Sequence, residues 1–176
     1  MKYVNYVEPA HEIGENVTIT ERSQLLSITP EQAKKIKSLR IENQVIDYEV
    51  SDALPCFSAS PKEVYFVDRS FSEGGERILC EFPSVKKVGF IRCSLSYDLL
   101  KELLTSNNPH NNIEVLDLTG NDLGKDPECF MNILKASIYR VKNIEELILV
   151  DNGFDASVVS LIEGALPRHI GKIYLL

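Results

Sequence analysis

Apolar residues in the second half of the chain recur in a fixed frame: Ile113-x-x-Leu116-x-Leu118-x-x-Asn121-x-Leu123, then Ile144-x-x-Leu147-x-Leu149-x-x-Asn152-x-Phe154. Val85-x-x-Val88-x-Phe90-x-x-Cys93-x-Leu95 keeps the frame with cysteine in the asparagine slot. The period-two spacing of the central slots predicts a short strand whose apolar residues face a core and whose intervening residues face solvent. The Asn or Cys then closes a turn, its side chain satisfying backbone groups that have lost their ladder partners. Asn152-Gly153 and Thr119-Gly120-Asn121 mark turns at that point and argue against an amphipathic helix. Helical spacing follows each frame. Ser96 caps a segment with Leu99, Leu100, Leu103 and Leu104. Pro127 opens one, running to Tyr139, with Phe130, Ile133, Leu134 and Ile138. Asp155 or Ala156 opens a third, with Val158, Val159, Leu161, Ile162 and Leu166, stopped by Pro167.

Strand, Asn/Cys turn and helix at this spacing are the signature of a leucine-rich repeat. One repeat cannot bury its own apolar face, so copies must stack into a curved parallel sheet with helices on the convex side. Weaker copies extend the phase. Pro61-x-x-Val64-x-Phe66-x-x-Arg69-x-Phe71 has arginine in the ladder slot, Ile36-x-x-Leu39-x-Ile41-x-x-Gln44-x-Ile46 has glutamine, and Ile170-x-x-Ile173-x-Leu175 begins a last strand. The first strand slots fall at 39, 64, 88, 116, 147 and 173, in steps of 24 to 31 residues. The expected fold is therefore α/β: a short leucine-rich-repeat solenoid over residues 36–176, about five repeats plus a final strand, with an N-terminal cap over residues 1–35. In the cap, Tyr3–Val7 and Val17–Thr20 alternate like strands, and Thr29-Pro30-Glu31-Gln32 reads as a capping box ahead of Ala33, Ile36 and Leu39. The links at 51–61 and 71–83 read as irregular, with a short helix around Ile78, Leu79 and Phe82. Ile173, Leu175 and Leu176 leave an apolar strand edge, so either the sequence was cut there or something covers it.

Charge narrows the function classes. The net charge of -7 and pI near 5.0 disfavour nucleic acid, whose binding draws on clustered Lys and Arg. No apolar window is long enough to span a membrane, and MKYVNYVEPAHEIGE lacks the apolar core of a signal peptide, so a cytoplasmic setting is expected. Asn16-Val17-Thr18 then reads as a chance sequon. Cys56, Cys80, Cys93 and Cys129 show no C-x-x-C pair and do not cluster with His11, His110 or His169, so reduced structural thiols are expected, with no metal site and no cofactor. A Cys93–His hydrolase is the one catalytic constellation to weigh. Against it, the frame already requires a buried residue at Cys93, and His110 lies in a polar link.

The remaining surface is the sheet face between the leucines. One row reads Arg40, Tyr65, Gly89, Asp117, Ile148, Tyr174, and the next reads Glu42, Val67, Ile91, Thr119, Val150, Leu176. β-Propensity alone favours Val, Ile and Tyr on any strand. This face nevertheless carries more of them than solvent requires, and apolar patches with aromatic anchors mark partner sites. The expected partner-binding set is Tyr65, Val67, Asp68, Ile91, Arg92, Asp117, Ile148, Val150, Asp151 and Tyr174. Asp68, Asp117, Glu146 and Asp151 form an acidic rim opposed chiefly by Lys87 and Arg92, which suits a basic or mixed-charge protein surface.

With helices on the convex side, the C-terminal repeats resemble the ribonuclease-inhibitor type. The short, irregular, Asn- and Ile-rich repeats are also similar in style to the leucine-rich-repeat effectors injected into host cells by intracellular bacteria such as Legionella. The first resemblance implies a concave sheet that binds a partner protein and can cover an enzyme's active site. The second implies a host protein or a companion effector as that partner. An adaptor that recruits its partner without inhibiting it is the alternative, since fold does not fix function.

Overall fold

The computed structural model describes residues 14–42, 61–71, 82, 84–105, 113–137 and 143–175. The expected Tyr3–Val7 strand, the Gln44 slot, the 51–60 link, Ile78 and Leu79 of the expected short helix, Ile138 and Tyr139 at the end of the helix opened by Pro127, His11, His110, Cys56, Cys80 and Leu176 lie outside the described residues.

Seven strands form one all-parallel sheet in chain order among the described residues. They are β1 (Asn16–Ile19), β2 (Ser38–Glu42), β3 (Glu63–Val67), β4 (Lys87–Ile91), β5 (Val115–Asp117), β6 (Glu146–Ile148) and β7 (Lys172–Tyr174). Leu39, Val64, Val88, Leu116, Leu147 and Ile173 stand side by side in register, as the frame requires. Val17 pairs with Leu39 and adds one more position to that row, so the sheet begins inside the segment expected to be a cap. Because neighbouring strands are consecutive and parallel, the described helices of the β1–β2, β4–β5, β5–β6 and β6–β7 connections cross on one face of the sheet.

The helices are α1 (Arg22–Ser27), α2 (Pro30–Ala33), α3 (Tyr97–Thr105), α4 (Pro127–Ser137) and α5 (Ala156–Ala165), with a 3₁₀ turn at Leu123–Lys125. Their starts follow the sequence. Ser96 Oγ accepts the Leu99 N–H at 3.1 Å, and Asp155 Oδ1 accepts those of Ser157 and Val158, each at 2.9 Å. The Thr29–Gln32 capping box forms, but α2 stops at Ala33 instead of carrying Ile36 and Leu39. The N–H groups of Lys37 and Ser38 bond to the Glu15 carbonyl, so pairing with β1 draws the chain out of the helix and into β2.

Leucine slots and helix faces merge into one core. In the β3 and β4 repeats aromatics take leucine slots in it. Phe66 and Phe90 stack at 5.4 Å, and Phe71 meets both rings edge-on at 5.5 and 5.3 Å. At the other end, β7 pairs on one side alone among the described residues. Leu161 on α5 is 60% exposed and Tyr174 43% exposed.

Candidate protein-interaction face

A face can present side chains accurately only if its strands are fixed, and the turn after each strand does this. Asn121 Oδ1 accepts the N–H of Cys93 at 3.0 Å and of Leu95 at 3.3 Å. Its amide donates to the carbonyls of Phe90, Leu118 and Thr119 at 2.6, 2.8 and 3.2 Å. One repeat on, Asn152 makes the same bonds to Asn121, Leu123, Leu118, Leu149 and Val150. Cys93 keeps a reduced version, its thiol lying 3.3 Å from the Phe66 carbonyl and 3.4 Å from that of Ile91. Each ladder side chain thereby stitches its own turn to the preceding one.

The residues flanking the ladder slot take left-handed φ: Arg92 and Ser94 around Cys93, Gly120 and Asp122 around Asn121, Asp151 and Gly153 around Asn152. Outside glycine this conformation costs about 1–2 kcal/mol per residue, which the ladder bonds must offset. Around Arg69 only the preceding residue, Asp68, is left-handed. There the guanidinium lies 4.9 Å from the Phe71 ring centroid. The arginine copy thus departs in geometry as well as in sequence.

Strand register places Arg40, Tyr65, Gly89, Asp117, Ile148 and Tyr174 in one line across the open face, with Thr18 ahead of them. Glu42, Val67 and Ile91 form the adjacent line. Tyr65, Ile91, Ile148 and Val150 are half-buried, and Asp68, Arg92, Asp151 and Tyr174 are exposed. Val67 departs from expectation: it occupies its slot but has 0% exposure, although it lies outside the main core cluster. It sits between Glu42 and Ile91, against the strand end where Asp68 and Arg92 join, so it supports this surface without presenting any of its own.

Gly89 has a role that the alternating pattern does not reveal. A Cβ there would meet Tyr65 Cδ1 at 2.5 Å, so the tyrosine ring lies across the glycine. Burial pushes the Tyr65 hydroxyl above its ordinary pKa, with Glu63 adding to the shift and Lys87 opposing it. A glycine inside a strand is the sequence signal for such a close approach.

Pairing changes the expected charge balance. Arg92 grips Asp68 with two bonds, Nε to Oδ1 at 2.6 Å and Nη2 to Oδ2 at 2.8 Å. This holds the Asp68 carboxyl below its usual pKa. Gly120 makes room, because a Cβ there would stand 2.7 Å from Arg92 Cγ. Lys87 pairs with Glu63 at 2.9 Å, Lys172 with Glu146 at 2.6 Å, and Arg40 with Glu42 at 2.7 Å. Lys87 and Arg92, read as the cations opposing the rim, are already engaged, and so are Asp68 and Glu146.

Cys93 has 0% exposure, and burial pushes its thiol up to about 11. A nucleophile needs an accessible thiolate, so Cys93 is not one. Cys129 is half-buried and lines an open groove of about 530 Å³ between α3 and α4 with Tyr97, Asp98 and Ile133.

No protein-family model matches the chain, and no curated protein does. Among solved structures, the C-terminal domain of a Caenorhabditis elegans tropomodulin is similar, with TM-score 0.59 and 16% identity over 85% of this chain and 93% of that one. That likeness concerns the fold. Together with the parallel sheet and the turn ladder, it establishes a leucine-rich-repeat-like α/β architecture.

Proposed function

We propose that the chain is a non-enzymatic recognition module that docks a partner protein on its concave sheet face. The observation that carries this reading is the set Tyr65, Ile91, Ile148, Val150 and Tyr174, left half-buried or exposed on the face opposite the helices. Ile91, Ile148 and Val150 stand on or just after strands whose turns are held by the ladder, so little ordering cost is left for binding there. Aromatic and branched aliphatic anchors on a rigid surface are where binding energy concentrates.

Covering a partner enzyme's active site is the use we infer, in the manner of ribonuclease-inhibitor-type repeats, with a host protein or a companion effector as occupant if the effector resemblance extends to function. Affinity purification with wild-type and Ile148→Asn baits tests the reading. A partner retained by wild type and lost by the variant supports it, and equal retention by a folded variant opposes it. If the partner is an enzyme, its turnover in the complex separates inhibitor from adaptor.

A further inference from the structure

The open face carries charges of both signs, and pairing within the chain cancels most of them. Arg40, Lys87, Arg92 and Lys172 are engaged by Glu42, Glu63, Asp68 and Glu146. Beyond the strand starts, two carboxylates on the C-terminal half of this face have no ion-pair partner among the described residues. Asp117 stands in the middle of its row, its Oδ1 accepting the Thr119 N–H at 3.0 Å and the Thr119 hydroxyl at 2.6 Å. These bonds fix the side chain and leave its charge uncompensated. Asp151 is exposed in the turn after β6, at φ 56°. Where the strands begin, Lys62 and Glu145 also lack an ion pair among the described residues, but Glu145 has the charge of Lys172 near enough to feel it.

The surroundings of the two acids are apolar. Val115, Ile148 and Val150 are half-buried, and Tyr174 is exposed. Asp117, Ile148 and Tyr174 are successive register partners, so they stand in line about 4.8 Å apart. A purely apolar partner would strip water from Asp117 and offer nothing in return, and an acidic one would be repelled. On the reading of this face as a partner site, we propose that it selects a protein segment carrying a lysine or arginine beside an aliphatic or aromatic side chain. The cation meets Asp117 or Asp151, and the apolar group lies on Ile148, Val150 and Tyr174.

The test is selection of a displayed random-peptide library on the immobilised full chain. The most enriched peptide is then labelled and titrated by fluorescence polarisation. The enriched sequences are expected to pair Lys or Arg with Leu, Ile, Phe, Tyr or Trp. Asp117→Asn and Asp151→Asn should each weaken binding by about three- to tenfold, less at high salt. Asparagine keeps the acceptor for Thr119, so Asp117→Asn preserves the local fold. Enriched peptides without a cation, or unchanged affinity in both Asp→Asn variants while Ile148→Asn abolishes binding, would overturn charge selection and leave the face intact as a site. Unchanged affinity in Ile148→Asn would remove the site itself.

Discussion

Asn152 Oδ1 accepts the backbone N–H of Asn121 at 2.9 Å, one whole repeat away, just as Asn121 Oδ1 accepts that of Cys93. Both asparagines are buried, at 4% and 2% exposure, so no water replaces a lost bond. Asn121→Ala or Asn152→Ala should each cost about 1–3 kcal/mol. A thermal melt unchanged in both variants would contradict the ladder.

Cys93 closes its turn as a neutral thiol. Native protein should alkylate at the half-buried Cys129 well before Cys93, which reacts once the chain unfolds. The folded thiol titrates at about 11 against an ordinary value of 9.0, so the folded state holds its proton longer. The stability from this group is therefore complete below about pH 9 and is lost as pH rises towards 11. Peptide mass spectrometry of pulse-alkylated protein, and melts across that range in wild type and Cys93→Ala, check both outcomes.

Two glycines in neighbouring turns should behave differently. A Cβ at Gly124 would stand 2.5 Å from the Gly153 carbonyl oxygen, and backbone cannot step aside as a side chain can. Gly153 has φ 73° and nothing within 4 Å of its Cβ direction, so asparagine, which tolerates left-handed φ, fits there. Gly124→Ala should cost about 1–3 kcal/mol and Gly153→Asn clearly less. Equal denaturation midpoints for the two variants would contradict the close turn-to-turn packing.

Gly89→Ala should displace the Tyr65 ring from the face. The hydroxyl pKa, raised chiefly by burial, should then fall back towards 10.0. Selective labelling of tyrosine and NMR titration would show it. An unmoved Tyr65 resonance would mean that the ring does not rest on Gly89.

Much of this architecture is legible in the chain because a repeat states each requirement several times. Val88, Leu116 and Leu147 share a register row because each follows its frame's first apolar residue by three positions. β1 is legible as a strand in the alternation of Val17–Thr20, but its place in the repeat sheet is harder to see, since no Asn or Cys follows Val17 and Ile19 in the frame. The face rows were equally readable, because strand alternation fixes which residues share a side. Exposure and charge pairing on that face were not. Val67 is buried by its surroundings, which its own frame does not encode. The Asp68–Arg92 bond depends on both residues adopting left-handed φ, where sequence gives little warning for an arginine.

The most direct test of the account compares Ile148→Asn and Tyr65→Ala on the sheet face with Leu161→Asn on the exposed side of α5, titrating each by calorimetry against the purified partner. The account predicts losses of about 2 kcal/mol or more for the first two, with melting temperatures kept, and no loss for the third. Full affinity in both sheet-face variants, with binding abolished by Leu161→Asn, would place the partner on the helices and contradict it.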